Sequence, residues 1–145
     1  MIRLNEGLQN ILKKHAKENG WMGYSTFGRH VVMDMWGVDY DFLNNAEWLE
    51  ELLVEAATNC GATVCSVLSK QFEPQGITVL LLLSESHLSI HTYPEKGFAA
   101  LDCYICGENA NPERVLEYLA AVLMPTSTYE KKLIRGIGKL EVQSI

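Results

Sequence analysis

The chain has 145 residues, of which 48% are hydrophobic, and its 12 Lys and Arg against 18 Asp and Glu leave a net charge of -6. That length suits one compact domain with its own core and is short for two, while the negative balance opposes attraction to nucleic acid or to an anionic membrane. No run approaches the roughly eighteen apolar residues of a membrane span, and the opening MIRLNEGLQNILKKHAKENG has helical periodicity in place of a signal peptide's apolar stretch, so a cytoplasmic protein is expected.

Taken in chain order, Asn5 to Asn19 sets Leu8, Ile11, Leu12 and His15 on one stripe and stops before Gly20, the pattern of an amphipathic helix. Arg29 to Trp36 is rich in Val, Met and Trp and closes at Gly37, which favours a strand. From Glu47 to Cys60 the apolar positions Leu49, Leu52, Leu53, Ala56, Ala57 and Cys60 recur at helical spacing, with Asn44 or Asn45 as N-cap and Gly61 placed to end the helix. Strands are then predicted over Ala62 to Phe72, Ile77 to Ser84 and Leu88 to Tyr93, separated by Pro74-Gln75-Gly76 and Ser84-Glu85-Ser86. A further strand, Phe98 to Cys106, follows Pro94-Glu95-Lys96-Gly97. Its alternation assigns Ala99, Leu101, Cys103 and Ile105 to one face, and Phe98, Ala100, Asp102, Tyr104 and Cys106 to the other.

Asn111-Pro112 pairs a cap with proline at the first helical position, and Val115, Leu116, Leu119, Ala120 and Leu123 form a buried stripe up to Pro125. The tail from Thr126 to Ile145 reads as a strand with flexible ends. This order of elements predicts an α+β fold: a two-layer sandwich with helices packed on one face of a mostly antiparallel sheet.

The 4 cysteines, Cys60, Cys65, Cys103 and Cys106, carry no disulfide framework in a chain read as cytoplasmic. Cys103 and Cys106 form a CxxC, but zinc would want a second pair at similar spacing, which Cys60 and Cys65 do not offer. Strand residues three apart also face opposite sides of a sheet, so no metal is expected.

Chemistry concentrates between Phe72 and Cys106, in Ser84, Glu85, Ser86, His87, Ser89, His91, Glu95 and Cys106. The apolar run Val79 to Leu83 ends abruptly in Ser-Glu-Ser-His, which sets hydroxyls and an imidazole at the exit of a buried strand, on rigid support. By composition alone this is equally an ordinary polar turn, and His91 an ordinary hydrogen-bonded strand histidine. A Ser/His/Asp set from Ser86, His91 and Asp102 lacks a GxSxG elbow, and a Cys/His pair from Cys106 and His91 is open as well.

The stretch PQGITVLLLLSESHLSIHTYPEKGFAALDCYICG, with FGRHVVMDMWG from Phe27 to Gly37, closely resembles the short bacterial and archaeal S-adenosylmethionine decarboxylase proenzymes. The resemblance covers about Gly28 to Gly107 and more loosely the following helix, leaving residues 1–26 as an N-terminal helical extension before one domain over 27–145. It implies self-cleavage between Glu85 and Ser86 into 1–85 and 86–145, with the Ser86 hydroxyl as internal nucleophile. Attack on the preceding carbonyl turns the amide into an ester, β-elimination gives dehydroalanine, and hydrolysis leaves a pyruvoyl group at the new amino terminus. His91 is implied as base or proton shuttle of that processing, assisted by the Thr78 hydroxyl where relatives usually carry serine.

In the mature enzyme the resemblance implies a Schiff base between the pyruvoyl carbonyl and the substrate's α-amino group, which acts as the electron sink for CO2 loss. Cys106 matches the proton donor to the resulting carbanion, and a thiol with an ordinary pKa of about 8.5 holds its proton at neutral pH. Phe72 matches the aromatic that stacks on adenine, Glu95 the carboxylate that binds the ribose hydroxyls, and Leu88 a lining residue of the adenine pocket. The implied product is the aminopropyl donor for spermidine synthesis, and the implied assembly is a homodimer of cleaved protomers with sites at the interface.

The sequence departs from the family pattern in two places. Relatives commonly have an aromatic-histidine pair and then Val-Ser-Gly where this chain has Ser69-Lys70 and Ile77-Thr78-Val79. Relatives of this fold that decarboxylate arginine or ornithine provide one alternative, and Glu95 would also pair with a guanidinium. An uncleaved, non-catalytic nucleoside-binding paralogue provides another. Retention of Phe72 and Glu95 favours S-adenosylmethionine, because a free amino acid needs neither an adenine stacker nor a ribose acceptor.

Overall fold

The computed structural model describes residues 6, 7, 10 and 26–145. The helix expected over 5–19 lies outside the described residues, apart from Glu6, Gly7 and Asn10, which are helical. In chain order the elements are β1 (Gly28–Trp36), α1 (Tyr40–Leu43), α2 (Ala46–Asn59), β2 (Val64–Gln71), β3 (Ile77–Leu83), β4 (Ser86–Tyr93), a 3-10 turn (Pro94–Lys96), β5 (Phe98–Cys106), α3 (Pro112–Leu123), β6 (Ser127–Arg135) and β7 (Glu141–Gln143). The strands form one 7-stranded sheet in the order β2-β3-β4-β5-β1-β6-β7, and every pairing is antiparallel. This is the expected α+β sandwich.

Both long helices start from side-chain caps, as their sequences require. Asn45 Oδ1 accepts the Trp48 amide at 3.1 Å, and Asn111 Oδ1 accepts the Glu113 amide at 2.9 Å ahead of Pro112. Leu49, Leu52, Leu53, Ala56 and Ala57 of α2 are buried, as are Val115, Leu116, Leu119 and Leu123 of α3. These stripes cover one face of the sheet, where Val31, Met33 and Met35 of β1, Ile77, Val79, Leu81 and Leu83 of β3, Leu88 and Ile90 of β4, and Ala99, Leu101, Cys103 and Ile105 of β5 complete the core. The faces assigned to β5 from alternation are the observed ones. Burial, then the charge of Asp102 and Cys60, push the core Cys103 thiol up to about 12. All 4 cysteines are free thiols.

Among the described residues the opposite face carries no helix, and it exposes large apolar side chains, including Leu68, Leu80, Leu82, Trp36 and Tyr129. Among the described residues no helix is long and apolar enough to cross a membrane.

Three local features differ from expectation. β4 begins at Ser86, before the predicted Leu88, because Ser86 and His87 already pair with Leu83 and Leu82 on one side and with Ile105 and Tyr104 on the other. The turn is therefore only Ser84-Glu85. Backbone pairing is indifferent to side-chain polarity, and the open face tolerates an imidazole. The helix α1 has only 4 residues, too few for a periodic signal, and is capped by Asp39. The tail makes two strands: β6 completes the flank of β1, and β7 pairs with β6 at the sheet edge.

Candidate active site

The β3–β4 turn is held by its backbone on both sides. The Ser84 amide donates to the Thr63 carbonyl at 2.9 Å, and the Glu85 carbonyl accepts the Cys106 amide at 2.9 Å. The Glu85 carboxylate accepts the Thr63 amide at 3.1 Å. Ser86 follows with a φ of 152°, in positive-φ space that residues other than glycine rarely adopt, at a cost of about 1–3 kcal/mol. The Glu85–Ser86 peptide thus couples a strained residue to a carbonyl already bonded to an N–H. Cys106 ends β5 beside it with an exposed side chain.

A polar network lies on the open face next to this turn. The Ser86 hydroxyl is 3.3 Å from His87 Nδ1, and His87 Nε2 is 2.9 Å from Asp102 Oδ2. The same Asp102 oxygen is 2.7 Å from His30 Nε2, while Asp102 Oδ1 accepts the Ser89 hydroxyl. Arg135 Nη1 lies 3.3 Å from His30 Nδ1, and its guanidinium stacks 4.6 Å over the Tyr104 ring. Burial pulls the Asp102 pKa upward, but hydrogen bonds from Ser89, His87 and His30 outweigh it and hold the carboxyl below its ordinary value. Burial and a hydrogen bond with the Cys106 side chain push the Tyr104 hydroxyl upward, against the charge of Arg135. His30, His87 and Asp102 also bring one potential metal-ligand atom each within 4.8 Å of one another. Those atoms are engaged in the hydrogen bonds above, with the Arg135 cation alongside.

A second cluster forms at the other end of β3 and β4. Phe72, Thr78, His91, Tyr93 and Glu95 line a cleft of about 250 Å³. Thr78 and His91 are register partners, and their side chains meet at 3.0 Å between Oγ1 and Nδ1. The Phe72 amide donates to Gly76 at 2.8 Å, and Asn44 Oδ1 accepts the Gly76 amide at 3.1 Å, which fixes the loop carrying Phe72. Glu95 sits in the 3-10 turn Pro94–Lys96, closed by Gly97 in the left-handed conformation at φ 60°. Phe72, His91 and Glu95 are exposed, and His91 shares the face of β4 that carries His87.

The residues singled out from sequence therefore fall into two groups: Glu85, Ser86 and Cys106 at one end of the strands, and Phe72, Thr78, His91 and Glu95 at the other. Ser86 and His91 both lie on β4, five positions apart, which at about 3.3 Å per residue separates their Cα atoms by about 16 Å. Within one chain His91 is out of reach of Ser86, and His87 is the imidazole in contact with it. Leu88 lies apart from the Phe72–Glu95 cleft: it is fully buried in the core and borders a hollow lined by Leu68, Leu80 and Leu82.

Sequence reasoning left His87, His30 and Arg135 without a role. His87 carried a signal, since alternation from Ser86 assigns His87 and Ser89 to one face of β4. His30 and Arg135 belong to strands remote in sequence and had no local signal.

The model of the S-adenosylmethionine decarboxylase family matches residues 29–136. The chain is 65% identical over 121 residues to the S-adenosylmethionine decarboxylase proenzyme of Brevibacillus brevis, covering 83% of this chain and 91% of that one. It is 51% identical over 120 residues to the proenzyme of that name from Symbiobacterium thermophilum, covering 83% and 91%. Among solved structures it is similar to the adenosylmethionine decarboxylase of Aquifex aeolicus, with a TM-score of 0.74 and 37% identity over 83% of this chain and 99% of that one.

Proposed function

The chain belongs to the S-adenosylmethionine decarboxylase family, and from that premise we propose that it cleaves itself between Glu85 and Ser86 and decarboxylates S-adenosylmethionine with a pyruvoyl group derived from Ser86. The observation that carries this reading is the β3–β4 turn: a positive-φ serine directly after a carbonyl that accepts the Cys106 amide. The serine hydroxyl is the nucleophile, relief of backbone strain favours the break, and the Cys106 N–H supports negative charge developing on the carbonyl oxygen. The residue types fit the group, since only a Cβ oxygen or sulfur permits acyl shift followed by elimination.

When present, the pyruvoyl carbonyl supplies the electron sink for CO2 loss. The exposed Cys106 thiol returns a proton to the substrate carbon. Phe72 offers a π-face to adenine, Glu95 accepts from the ribose hydroxyls, and His91 shuttles a proton during processing with Thr78 bonded to it. Leu88 supports the strand beneath the site from the core side. The product is the aminopropyl donor for spermidine synthesis.

The two residue clusters meet in a homodimer. A two-fold axis lying between two open sheet faces and crossing the strands reverses strand direction, so the Phe72–Thr78–His91–Glu95 end of one protomer lies over the Ser86–Cys106 end of its partner. The apolar side chains of that face, with Leu68 68% and Leu82 58% exposed in the single chain, supply the area to be buried. Exposed free thiols at Cys65 and Cys106 accord with a reducing cytoplasm.

The experiment is a denaturing gel together with a carboxyl-label assay. Wild type should give two bands, residues 1–85 and residues 86–145, and Ser86→Ala one band of about 16.3 kDa. Labelled CO2 should be released from S-adenosylmethionine and not from arginine or ornithine. Two bands from Ser86→Ala would exclude the cleavage chemistry, and release from either free amino acid alone would exclude the substrate.

A further inference from the structure

A histidine adjacent to a serine nucleophile acts as a base only if the nitrogen facing the hydroxyl lacks a proton, and on this face the network decides which nitrogen that is. Hydrogen bonds from Ser89, His87 and His30 hold the Asp102 carboxyl below its ordinary pKa, so Asp102 accepts and each histidine donates to it through Nε2–H. Both Nδ1 atoms are then bare acceptors. For His30 the partner is consistent, because the permanently charged Arg135 can only donate to it. For His87 the remaining acceptor is the atom 3.3 Å from the Ser86 hydroxyl. That distance is long for a catalytic hydrogen bond, but within what tightens as a reaction complex forms.

We infer that His87, oriented by Asp102, is the base that takes the Ser86 hydroxyl proton when the chain cleaves itself. The inference rests on the self-cleavage proposed above and assigns it a group carried by the same chain as the nucleophile. The proton passes from Oγ to His87 Nδ1 as the Oγ–C bond to the Glu85 carbonyl forms. It is then returned to the Ser86 nitrogen as the C–N bond breaks, which leaves an ester and restores neutral His87. Loss of the Ser86 Cα proton then expels the Glu85 carboxylate, and water releases ammonia from the resulting enamine by way of its imine. His91, brought by the partner, is left for that later proton transfer. His87 touches the reacting oxygen and is a catalytic residue in this step. Asp102 acts through His87, and His30, backed by Arg135, acts through Asp102, so these are positioning residues. Among the described residues the charged and titratable groups around His87 are Asp102 and Tyr104 from β5, His30 from β1 and Arg135 from β6, and the β2 and β3 side contributes Leu68 and Leu82.

The test follows the time course of cleavage of freshly made full-length chain on denaturing gels across pH. His87→Ala should slow cleavage by about 10²–10⁴-fold while keeping the circular dichroism of the Ser86→Ala precursor, and added imidazole should restore part of the rate. Asp102→Asn keeps His87 but removes the carboxylate that orients it through Nε2–H, so cleavage should slow, whereas Asp102→Glu, which keeps a carboxylate acceptor, should recover part of the rate. His87→Gln replaces the alanine variant if the latter does not fold. Cleavage of His87→Ala at the wild-type rate, or a slow folded variant that ignores imidazole, overturns the role of His87 while Ser86→Ala stays intact. Cleavage of Ser86→Ala would instead overturn the underlying reading.

Discussion

If each site draws Phe72, Thr78, His91 and Glu95 from one protomer and Ser86 and Cys106 from the other, two inactive variants should restore each other. His91→Ala damages one end of the open face and Cys106→Ala the other, about 16 Å away along the strand direction by the separation of Ser86 from His91 on β4. In a mixed dimer, one site combines the intact Ser86–Cys106 end of the first chain with the intact His91 end of the second. The other site collects both lesions. Dimers purified through a different tag on each chain should therefore show about half the wild-type turnover, and an unselected mixture, in which about half the dimers are mixed, about a quarter. The assay is CO2 release from carboxyl-labelled S-adenosylmethionine, with cleavage of both chains checked on a gel. Activity in the mixed dimer no higher than in either variant alone would refute the shared site, because a site built within one protomer leaves one lesion in every site.

Replacing Leu82, 58% exposed on the open face, by Asp places a charge twice in the two-fold interface proposed above, and should raise the dimer dissociation constant by about 30-fold, or about 2 kcal/mol. Sedimentation would read this, and an unchanged dimer would move the interface elsewhere. Leu119, fully buried between α3 and the sheet, should cost about 2–5 kcal/mol as Leu119→Ala in urea unfolding of the Ser86→Ala precursor. A loss under about 1 kcal/mol would contradict the packing of α3. The Asp102 carboxyl is held below its ordinary pKa, so between the unfolded value of about 3.9 and its lower folded value the unfolded chain binds more protons. The corresponding stability is complete above about pH 4 and is lost as pH falls through the folded value. Asp102→Asn should flatten that acid limb of the denaturation profile, and an unchanged limb would assign it to other carboxylates.

The helices, most strands and the core face were legible because each is a local pattern. Asn45 and Asn111 announce caps, Leu49 to Ala57 and Val115 to Leu123 repeat at helical spacing, and the alternation of β5 separates Cys103 from Cys106. The chemistry-bearing residues were legible as types: a serine after a buried strand, a thiol ending the next strand but one face away from the core, a carboxylate in a turn. Where β4 begins was not, since Ser86 and His87 have turn composition and enter the sheet only through partners on β3 and β5.

The sequence by itself determined which residues can do chemistry and which side of each element is buried, because both depend on side-chain identity and short-range spacing. The tertiary structure alone decided which of them meet. In a sheet, contact follows register and strand order, and here β1 and β6 deliver His30 and Arg135 from distant parts of the chain to the Asp102–His87–Ser86 line. Nearness in sequence misled for the same reason. His91 shares a strand with Ser86, yet an extended backbone carries neighbours apart by more than 3 Å per residue, so the two can serve one reaction only across two chains.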